Sequence, residues 1–164
     1  MISLFRVDNR LLHGQVLEAW VPHIKAQEIV VADDAASHSS LAMAATLLVL
    51  PPNLPALIRP IEEVDFAALA ADKRRVLVLV REISGLEKAV AVGLTPALSP
   101  HLNLGNVHYA PERVQVTPTI FLSEQEMEGV RRLARTGFKV EAQVIPSDTP
   151  VGLADLEHRY SAAR

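Results

Sequence analysis

The sequence predicts an α/β fold with an open, mostly parallel, doubly wound sheet and helices on both faces. Short β-branched runs alternate with longer helical patterns, which is the order expected of parallel strands joined by helices. The runs Ile29–Ala32 and Val76–Val80 are apolar throughout, as in strands that helices cover on both faces. The length of 164 residues and the lack of an internal repeat favour a single domain over residues 1–164.

The first half of the chain is predicted to contain three strand–helix pairs. Its strands are Ile2–Val7, Glu28–Ala32 and Arg75–Val80, and the helices that follow them are Leu17–Ile24, Leu41–Leu50 and Leu86–Val92. Ser84 is followed three residues later by Glu87, which is the spacing of a capping box. This pair therefore predicts the start of the third helix.

Four prolines interrupt the region between residues 95 and 119. Because proline lacks a backbone donor, we expect loops there, with short extended pieces near His101–Leu104 and Val114–Val116. Ser123 and Glu126 repeat the capping-box spacing. The elements predicted from this point are a helix of about a dozen residues from Ser123 that closes near Gly137, a strand at Lys139–Ile145 and a short helix around Leu153–Arg159.

The composition excludes several classes of function. Without cysteine the chain has no disulfide, thiolate metal site or cysteine nucleophile, which leaves histidine, serine and carboxylates for chemistry. A formal charge of −3 and a pI near 6.1, with no basic stripe, argue against a nucleic-acid partner. No apolar run approaches the roughly 20 residues of a membrane span, and the start of the chain lacks a secretory signal. We therefore expect a soluble, cytoplasmic protein.

The segment Asp8–Gln15, after the first strand, concentrates the groups that phosphoryl transfer needs. It lies at the carboxyl end of a strand, where reacting groups collect in open α/β sheets. His13, when neutral, has a ring nitrogen lone pair that can attack phosphorus. Arg10 can offer a bidentate fork to phosphoryl oxygens, and Gly14 allows backbone N–H groups to approach them. Asp8 can orient the imidazole or position Arg10.

Spacing alone does not decide the role of this histidine, because a histidine at a helix start is as often a surface or capping residue. However, Phe5–Val16 together with Trp20 closely resembles the active-site segment of the mannose/fructose/sorbose-family enzyme IIB of the bacterial sugar phosphotransferase system. The resemblance continues through Ile29–Asp34, Leu102–Asn106 and Val140–Asp148. It therefore covers nearly the whole chain in order.

The resemblance implies a phosphotransferase that works as a phosphohistidine carrier. His13 is expected to accept a phosphoryl group through Nδ1 from a phosphohistidine on an enzyme IIA, and to pass it to a sugar at a membrane IIC/IID permease. Arg10 and the backbone amides around Gly14 are expected to contact phosphoryl oxygens, with Gln15 as a further phosphate-binding residue. No metal, nucleotide or other cofactor is implied, and a homo-oligomer is left open.

Three segments depart from the pattern of the family. Asn9 stands where many members have a second aspartate, Arg81–Ser84 replaces a lysine or threonine followed by Asn-Pro, and Val107–Gln115 lacks the usual lysines. The two loops leave open the choice of partner and the identity of the sugar. They also motivate an alternative function, a regulatory phosphoprotein that does not serve a permease.

Other polar residues have structural interpretations that we favour. Asp33 and Asp34 resemble the acidic pair that binds magnesium in receiver domains, but the other receiver residues are missing, so helix capping or loop hydrogen bonding is predicted. His101 and His108 lack the spacing of a metal-ligand pair and are predicted to be solvated loop residues. Trp20 is predicted to pack in the core.

Overall fold

The computed structural model describes residues 1–164 and contains nine strands and seven α-helices. The strands are β1 (Ile2–Asp8), β2 (Glu28–Ala32), β3 (Ala56–Arg59), β4 (Val76–Val80), β5 (His101–Asn106), β6 (Val114–Thr117), β7 (Ile120–Leu122), β8 (Lys139–Ala142) and β9 (Val151–Gly152). The helices are α1 (Val21–Ile24), α2 (Asp34–Ser37), α3 (Ser40–Leu48), α4 (Phe66–Ala71), α5 (Ile83–Ala91), α6 (Glu124–Arg135) and α7 (Leu153–Ala163). No helix is both long enough and apolar enough to span a membrane.

Seven strands form one sheet in the order β3-β2-β4-β1-β5-β8-β9. Every neighbouring pair is parallel except β8 and β9, which pair antiparallel at the edge. The predicted fold class is therefore confirmed. β6 and β7 form a separate antiparallel hairpin. Because β1 lies between β4 and β5, the loop after β1 is central at the carboxyl edge of the sheet.

Alternation along the strands divides the buried side chains between two cores. Val30 and Val78 face a large core of 29 buried residues, which packs the sheet against α5, α6 and α7. Ile29 and Leu77 face a small core of 10 buried residues on the opposite side. Helices cover both faces, as predicted. The core on the second face is smaller, because it contains fewer buried residues.

The small core is covered by the segment that follows the β1 loop and by α3. A π-helical turn over Val16–Trp20 continues directly into α1, which confirms a helix at Leu17–Ile24. Pro22 has no N–H for the ordinary helical ladder, and the wide turn lies immediately before it. Wide turns of this kind are often found at functional sites.

Several predicted boundaries were wrong or incomplete. The capping box at Ser84 is wrong, because α5 begins at Ile83 with Glu82 as its N-cap. The strand predicted to reach Ile145 ends at Ala142. β5 is a full inner strand where only a short extended piece was expected, and β3 and α4 were not predicted.

The second capping box is confirmed. The Glu126 N–H donates to Oγ of Ser123 at 3.2 Å, and the Ser123 N–H donates to Oε2 of Glu126 at 2.9 Å. The helix that they open ends at Arg135, and Gly137 follows it with a φ of 104°. A left-handed residue after a helix end is the ordinary stop signal.

Candidate active site

Strand β1 carries two charged residues into the interior of the protein. Phe5 and Val7 face the large core, so alternation directs Arg6 and Asp8 to the other face of the sheet. Both are fully buried, with 0% of each side chain exposed. Nη2 and Nε of Arg6 donate to Oδ2 of Asp8 at 2.9 and 3.2 Å. The carboxyl end of β1 therefore begins with a buried ion pair.

Asp8 also holds the loop that follows it. Its Oδ1 accepts the Arg10 N–H at 3.1 Å, and its backbone carbonyl accepts the Leu11 N–H at 2.8 Å. Leu11 has a φ of 54°, a left-handed conformation that costs a residue with a side chain about 1–3 kcal/mol. Burial of Leu11 and Leu12 in the small core offsets this cost. The loop is thus held by the hydrogen bonds of Asp8 and by the burial of its two leucines.

His13 is held by the same carboxylate. Its Nε2 lies 3.0 Å from Oδ2 of Asp8, and 15% of its side chain is exposed. A carboxylate can only accept, so the neutral ring carries its hydrogen on Nε2 and its lone pair on Nδ1. Asp8 thus orients the imidazole, one of the two roles considered for it. It also positions Arg10, the other role considered for it, because Oδ1 accepts the Arg10 N–H and lies 3.9 Å from Nε of the Arg10 side chain.

The electrostatics of the site keep Asp8 ionised. Burial by itself raises the pKa of the Asp8 carboxyl, but the hydrogen bond from His13 and the charge of Arg6 outweigh it, so this pKa lies below its usual value. Burial lowers the pKa of Arg6, while Asp8 opposes that shift. Because a guanidinium remains protonated in proteins, Arg6 and Asp8 form a fixed pair of charges behind His13.

Arg6 is held by groups from distant parts of the chain, and sequence reasoning did not select it as a site residue. Its Nη1 donates to Oδ1 of Asn103 at 2.5 Å and to the Gln143 carbonyl at 3.0 Å. Its guanidinium lies 5.4 Å from the ring centroid of Trp20. A Cβ on Gly105 would lie 1.9 Å from Cζ of Arg6, so the guanidinium lies directly against the β5 backbone. The sequence feature that could have identified Arg6 as a site residue is a charged side chain within a predicted apolar strand.

Trp20 connects the helix after the loop to this network. It is 4% exposed, which confirms the predicted core position. Its Nε1 donates to the Val144 carbonyl at 2.8 Å, so the indole spans from the first helical segment to the end of β8. The face of the ring covers the Arg6 guanidinium, an arrangement in which the aromatic quadrupole stabilises the cation.

The three remaining predicted residues lie together at the surface of the loop. The Arg10 side chain is 50% exposed, and its Nη2 donates to Oε1 of Gln15 at 3.3 Å. A Cβ on Gly14 would meet no atom within 4 Å, so packing does not require glycine there and the space above the loop is open. Exposed guanidinium and open backbone are compatible with a bound phosphoryl group.

Asp33 and Asp34 are held by cations and backbone N–H groups. Oδ1 of Asp33 accepts the Ala36 N–H at 2.7 Å and caps α2, which confirms the capping interpretation. Oδ1 of Asp34 accepts the Ile61 N–H at 2.9 Å, and its Oδ2 lies 2.6 Å from Nζ of Lys88. Loop hydrogen bonding is therefore confirmed for Asp34.

A second arginine braces the active-site loop from the side. Nε and Nη2 of Arg81 both donate to Asp33 at 2.9 Å, and its Nη1 donates to the Asn9 carbonyl at 3.3 Å. Arg81 lies at the end of β4, so it joins the ends of three neighbouring strands. It comes from one of the two loops that depart from the family pattern, and sequence reasoning did not assign it a contact.

The other departing loop has a different environment. Its Arg113 donates to both carboxylate oxygens of Glu126, at 2.9 and 2.6 Å, and to the His108 carbonyl at 2.9 Å. This arginine therefore anchors the loop to α6. His101 and His108 are exposed, as predicted, but the loop position predicted for His101 is wrong, because this residue begins β5.

Comparison with known proteins identifies the family. The model for the family described as "PTS system sorbose subfamily IIB component" matches residues 2–163. The chain belongs to this family. This IIB component is 30% identical over 164 residues to a probable phosphotransferase enzyme IIB component of Streptococcus pyogenes, with 95% of this chain and 99% of that one covered. The resemblance found in the sequence is therefore confirmed.

Two further relatives extend the comparison. The IIB component has a TM-score of 0.85 and 24% identity with the crystal structure of the IIBSor domain of the sorbose permease from Klebsiella pneumoniae, covering 96% of this chain and 97% of that one. This likeness shows the shared fold. The chain is also 24% identical to the mannose-specific EIIAB component of Escherichia coli, and the match covers 95% of this chain and 48% of that protein. As a IIB component, this chain is a phosphotransferase of the sugar phosphotransferase system.

Proposed function

We propose that this IIB component carries a phosphoryl group on Nδ1 of His13, accepting it from a phosphohistidine of an enzyme IIA and delivering it to a sugar at a membrane IIC/IID permease. One observation carries the proposal. Asp8 binds Nε2 of His13 at 3.0 Å, which leaves the Nδ1 lone pair on a partly exposed ring. The family supplies the class of reaction, and an EIIAB relative supports an enzyme IIA as donor.

The chemistry requires positioning and charge. As Nδ1 attacks, its bond to phosphorus forms while the phosphorus–nitrogen bond to the donor histidine breaks. Positive charge develops on the imidazole, and the Asp8 carboxylate beside Nε2 stabilises it. When the phosphoryl group passes to a sugar, the hydroxyl oxygen forms a bond to phosphorus and its proton leaves to solvent, while the bond to Nδ1 breaks and the electron pair returns to that atom. Phosphoryl transfer of this kind depends mainly on orientation and electrostatics.

Arg10, Gly14 and Gln15 are the proposed phosphate-binding residues. The Arg10 side chain makes one hydrogen bond, to Gln15, and most of its N–H groups are available for phosphoryl oxygens. The open space at Gly14 allows the oxygens to reach the backbone. A phosphoryl group gives Arg10 an anionic partner, which binds the guanidinium more strongly than the neutral amide oxygen of Gln15 does, and the amide N–H groups of Gln15 can donate to the same oxygens.

Phosphorylation of purified protein tests the acceptor. After incubation with an enzyme IIA, the upstream carriers and labelled phosphoenolpyruvate, we expect acid-labile, alkali-stable label on the protein. His13→Gln should carry none, while His23→Gln, which alters an exposed histidine on α1, should be labelled like the wild type. Label that persists on His13→Gln would show that another residue is the acceptor.

A regulatory phosphoprotein is the second candidate function. The two loops that depart from the family pattern keep their arginines in internal ion pairs, Arg81 with Asp33 and Arg113 with Glu126, so neither arginine is free for a partner's acidic groups. Sugar-dependent loss of label in the presence of membranes separates the two functions. Transfer of the label to a sugar supports the transport function, in which the protein acts in the cytoplasm beside a membrane permease. Failure to discharge to any sugar supports regulation.

A further inference from the structure

Helix α3 presents an apolar face to solvent. Its inner side, with Ala42 and Met43, packs against the small core, and Ser39 caps its start by accepting the Ala42 N–H at 3.1 Å. On the outer side, Leu41 is 79% exposed and Leu48 is 85% exposed. A helix at the surface of a monomer ordinarily carries polar or charged residues on its outer side.

Four of the exposed residues form one stripe along this face, and Leu47 and Val49 are exposed beside it. Leu41, Ala44, Ala45 and Leu48 are all exposed, and their spacing of three, four and seven residues places them on one face of the helix. No Asp, Glu, Lys or Arg occurs from residue 35 to residue 58, although 21% of the whole chain is charged. Apolar surface of this kind typically marks an interaction site.

The order of residues in the stripe favours a second copy of this chain as the partner. It reads Leu, two small residues, Leu, and it is the same in both directions. A twofold axis through the midpoint between Ala44 and Ala45 places Leu41 opposite Leu48 of the partner subunit, with alanine against alanine at the centre. The alanines allow the helix axes to approach closely, and the leucines fill the two ends. An interface around a twofold axis requires this kind of self-complementarity.

We propose that this protein forms a twofold dimer in which α3 packs antiparallel against α3 of a second copy. The interface contains none of the residues around His13, so the proposal is independent of the phosphoryl-transfer function. One pair of nine-residue helices buries an area at the low end of specific interfaces. We therefore expect a weak dimer that exchanges subunits readily.

Charge substitutions test the antiparallel arrangement. By sedimentation velocity over a wide concentration range, the wild type should pass from monomer to dimer, and Leu41→Glu or Leu48→Lys should each weaken association at least about tenfold. The double variant Leu41→Glu/Leu48→Lys should recover the dimer, because each introduced glutamate then lies opposite an introduced lysine of the partner. Val92→Glu is the control, since Val92 is exposed just after α5, outside the proposed interface. All the altered side chains are exposed, and circular dichroism checks the fold.

Cross-linking provides a second measurement, because the chain has no cysteine of its own. On oxidation, a mixture of Leu41→Cys and Leu48→Cys should form disulfide-linked dimers, and each variant alone should form few. Cross-linking mainly within a single variant, or a wild-type monomer at every concentration, would overturn the proposal. So would binding of the wild type, but not Leu41→Glu, to neutral phospholipid vesicles without self-association, because α3 would then be a membrane contact.

Discussion

Arg6 is a fully buried guanidinium that contacts Asp8, the residue that holds His13. It donates to Asp8, Asn103 and the Gln143 carbonyl, and the Asp8 carboxylate in turn holds His13. Leaving one member of a buried ion pair without its partner costs about 3–5 kcal/mol. Changes that displace Arg6 should therefore affect stability and the orientation of His13 together.

Gly105→Ala is the most direct way to displace Arg6 without altering a charge. The added Cβ would lie 1.9 Å from Cζ of Arg6, so the guanidinium must move away from Asp8. We expect the free energy of unfolding in urea to fall by about 2–4 kcal/mol, and phosphorylation of His13 to slow by about tenfold or more.

Gly14→Ala is the matched control for this change. Its Cβ would meet no atom within 4 Å, and its φ is not in the left-handed region, so its stability should stay within about 0.5 kcal/mol of the wild type. A slower phosphorylation of Gly14→Ala at unchanged stability would support contact of the loop backbone with phosphate. Equal destabilisation by the two alanines would contradict the contact proposed at Gly105.

At the scale of elements, two serines separate a true helix cap from an apparent one. Ser123 accepts the Glu126 N–H at the start of α6, whereas Ser84 lies inside the first turn of α5. Ser123→Ala should lower the free energy of unfolding by about 1 kcal/mol, as loss of an N-cap does. Ser84→Ala should change it by less than about 0.5 kcal/mol. Chemical denaturation of both variants measures the difference, and equal losses would show that the caps are misassigned.

The error at Ser84 has a physical cause. Both serines have a glutamate three residues later, so the local pattern is the same. Glu87, however, is paired at 2.5 Å with Arg132, which lies on α6, 45 positions further along the chain. Because α5 begins at Ile83, Ser84 is its second residue and Glu87 is not at the third helical position that a capping box requires; the contact of Glu87 with α6 arises from helix packing, which no local sequence rule contains.

Arg81 links elements that are neighbours only in the sheet. It joins the end of β4 to Asp33 after β2 and to the Asn9 carbonyl in the active-site loop. Arg81→Lys keeps the charge but removes the planar fork, and a single ammonium does not reproduce these three contacts. We expect about tenfold slower phosphorylation of His13 at saturating enzyme IIA, with little change in its apparent KM. A change in KM alone would indicate that Arg81 contacts the donor.

At the scale of the whole molecule, the sheet brings together residues that are far apart in the sequence. The position of His13 after the first strand and the candidate roles of Asp8, Arg10, Gly14 and Gln15 were accessible from local chemistry and the family resemblance. The surroundings of Arg6 were not, because Asn103 and Gln143 come from β5 and the end of β8. Strand order decides which residues become neighbours. The sequence of β1 indicated only that a charged residue, Arg6, lies within an otherwise apolar strand.

The response of stability to acid follows from two carboxylates that are paired with arginine, Asp8 with Arg6 and Glu126 with Arg113. Burial raises the pKa of Glu126, but its bonds to Arg113 and Ser123 outweigh this and leave the pKa below its usual value; the pKa of Asp8 is lowered as well. In the unfolded chain both carboxyl groups have a pKa of about 4. Their contribution to stability is thus complete above about pH 5, and it is lost as the pH falls through 4 toward the lower folded values.

Asp8→Asn and Glu126→Gln test this linkage. Each should be less stable than the wild type at pH 7, because Arg6 or Arg113 loses its anionic partner. The deficit should shrink as the pH falls from about 5 to 3, since the wild-type carboxylates are then protonated too. Urea denaturation at several pH values measures the deficit, and Glu124→Gln, which alters a carboxylate that is 75% exposed, is the control. A deficit that is constant down to pH 3 would mean that these ion pairs do not couple folding to protonation.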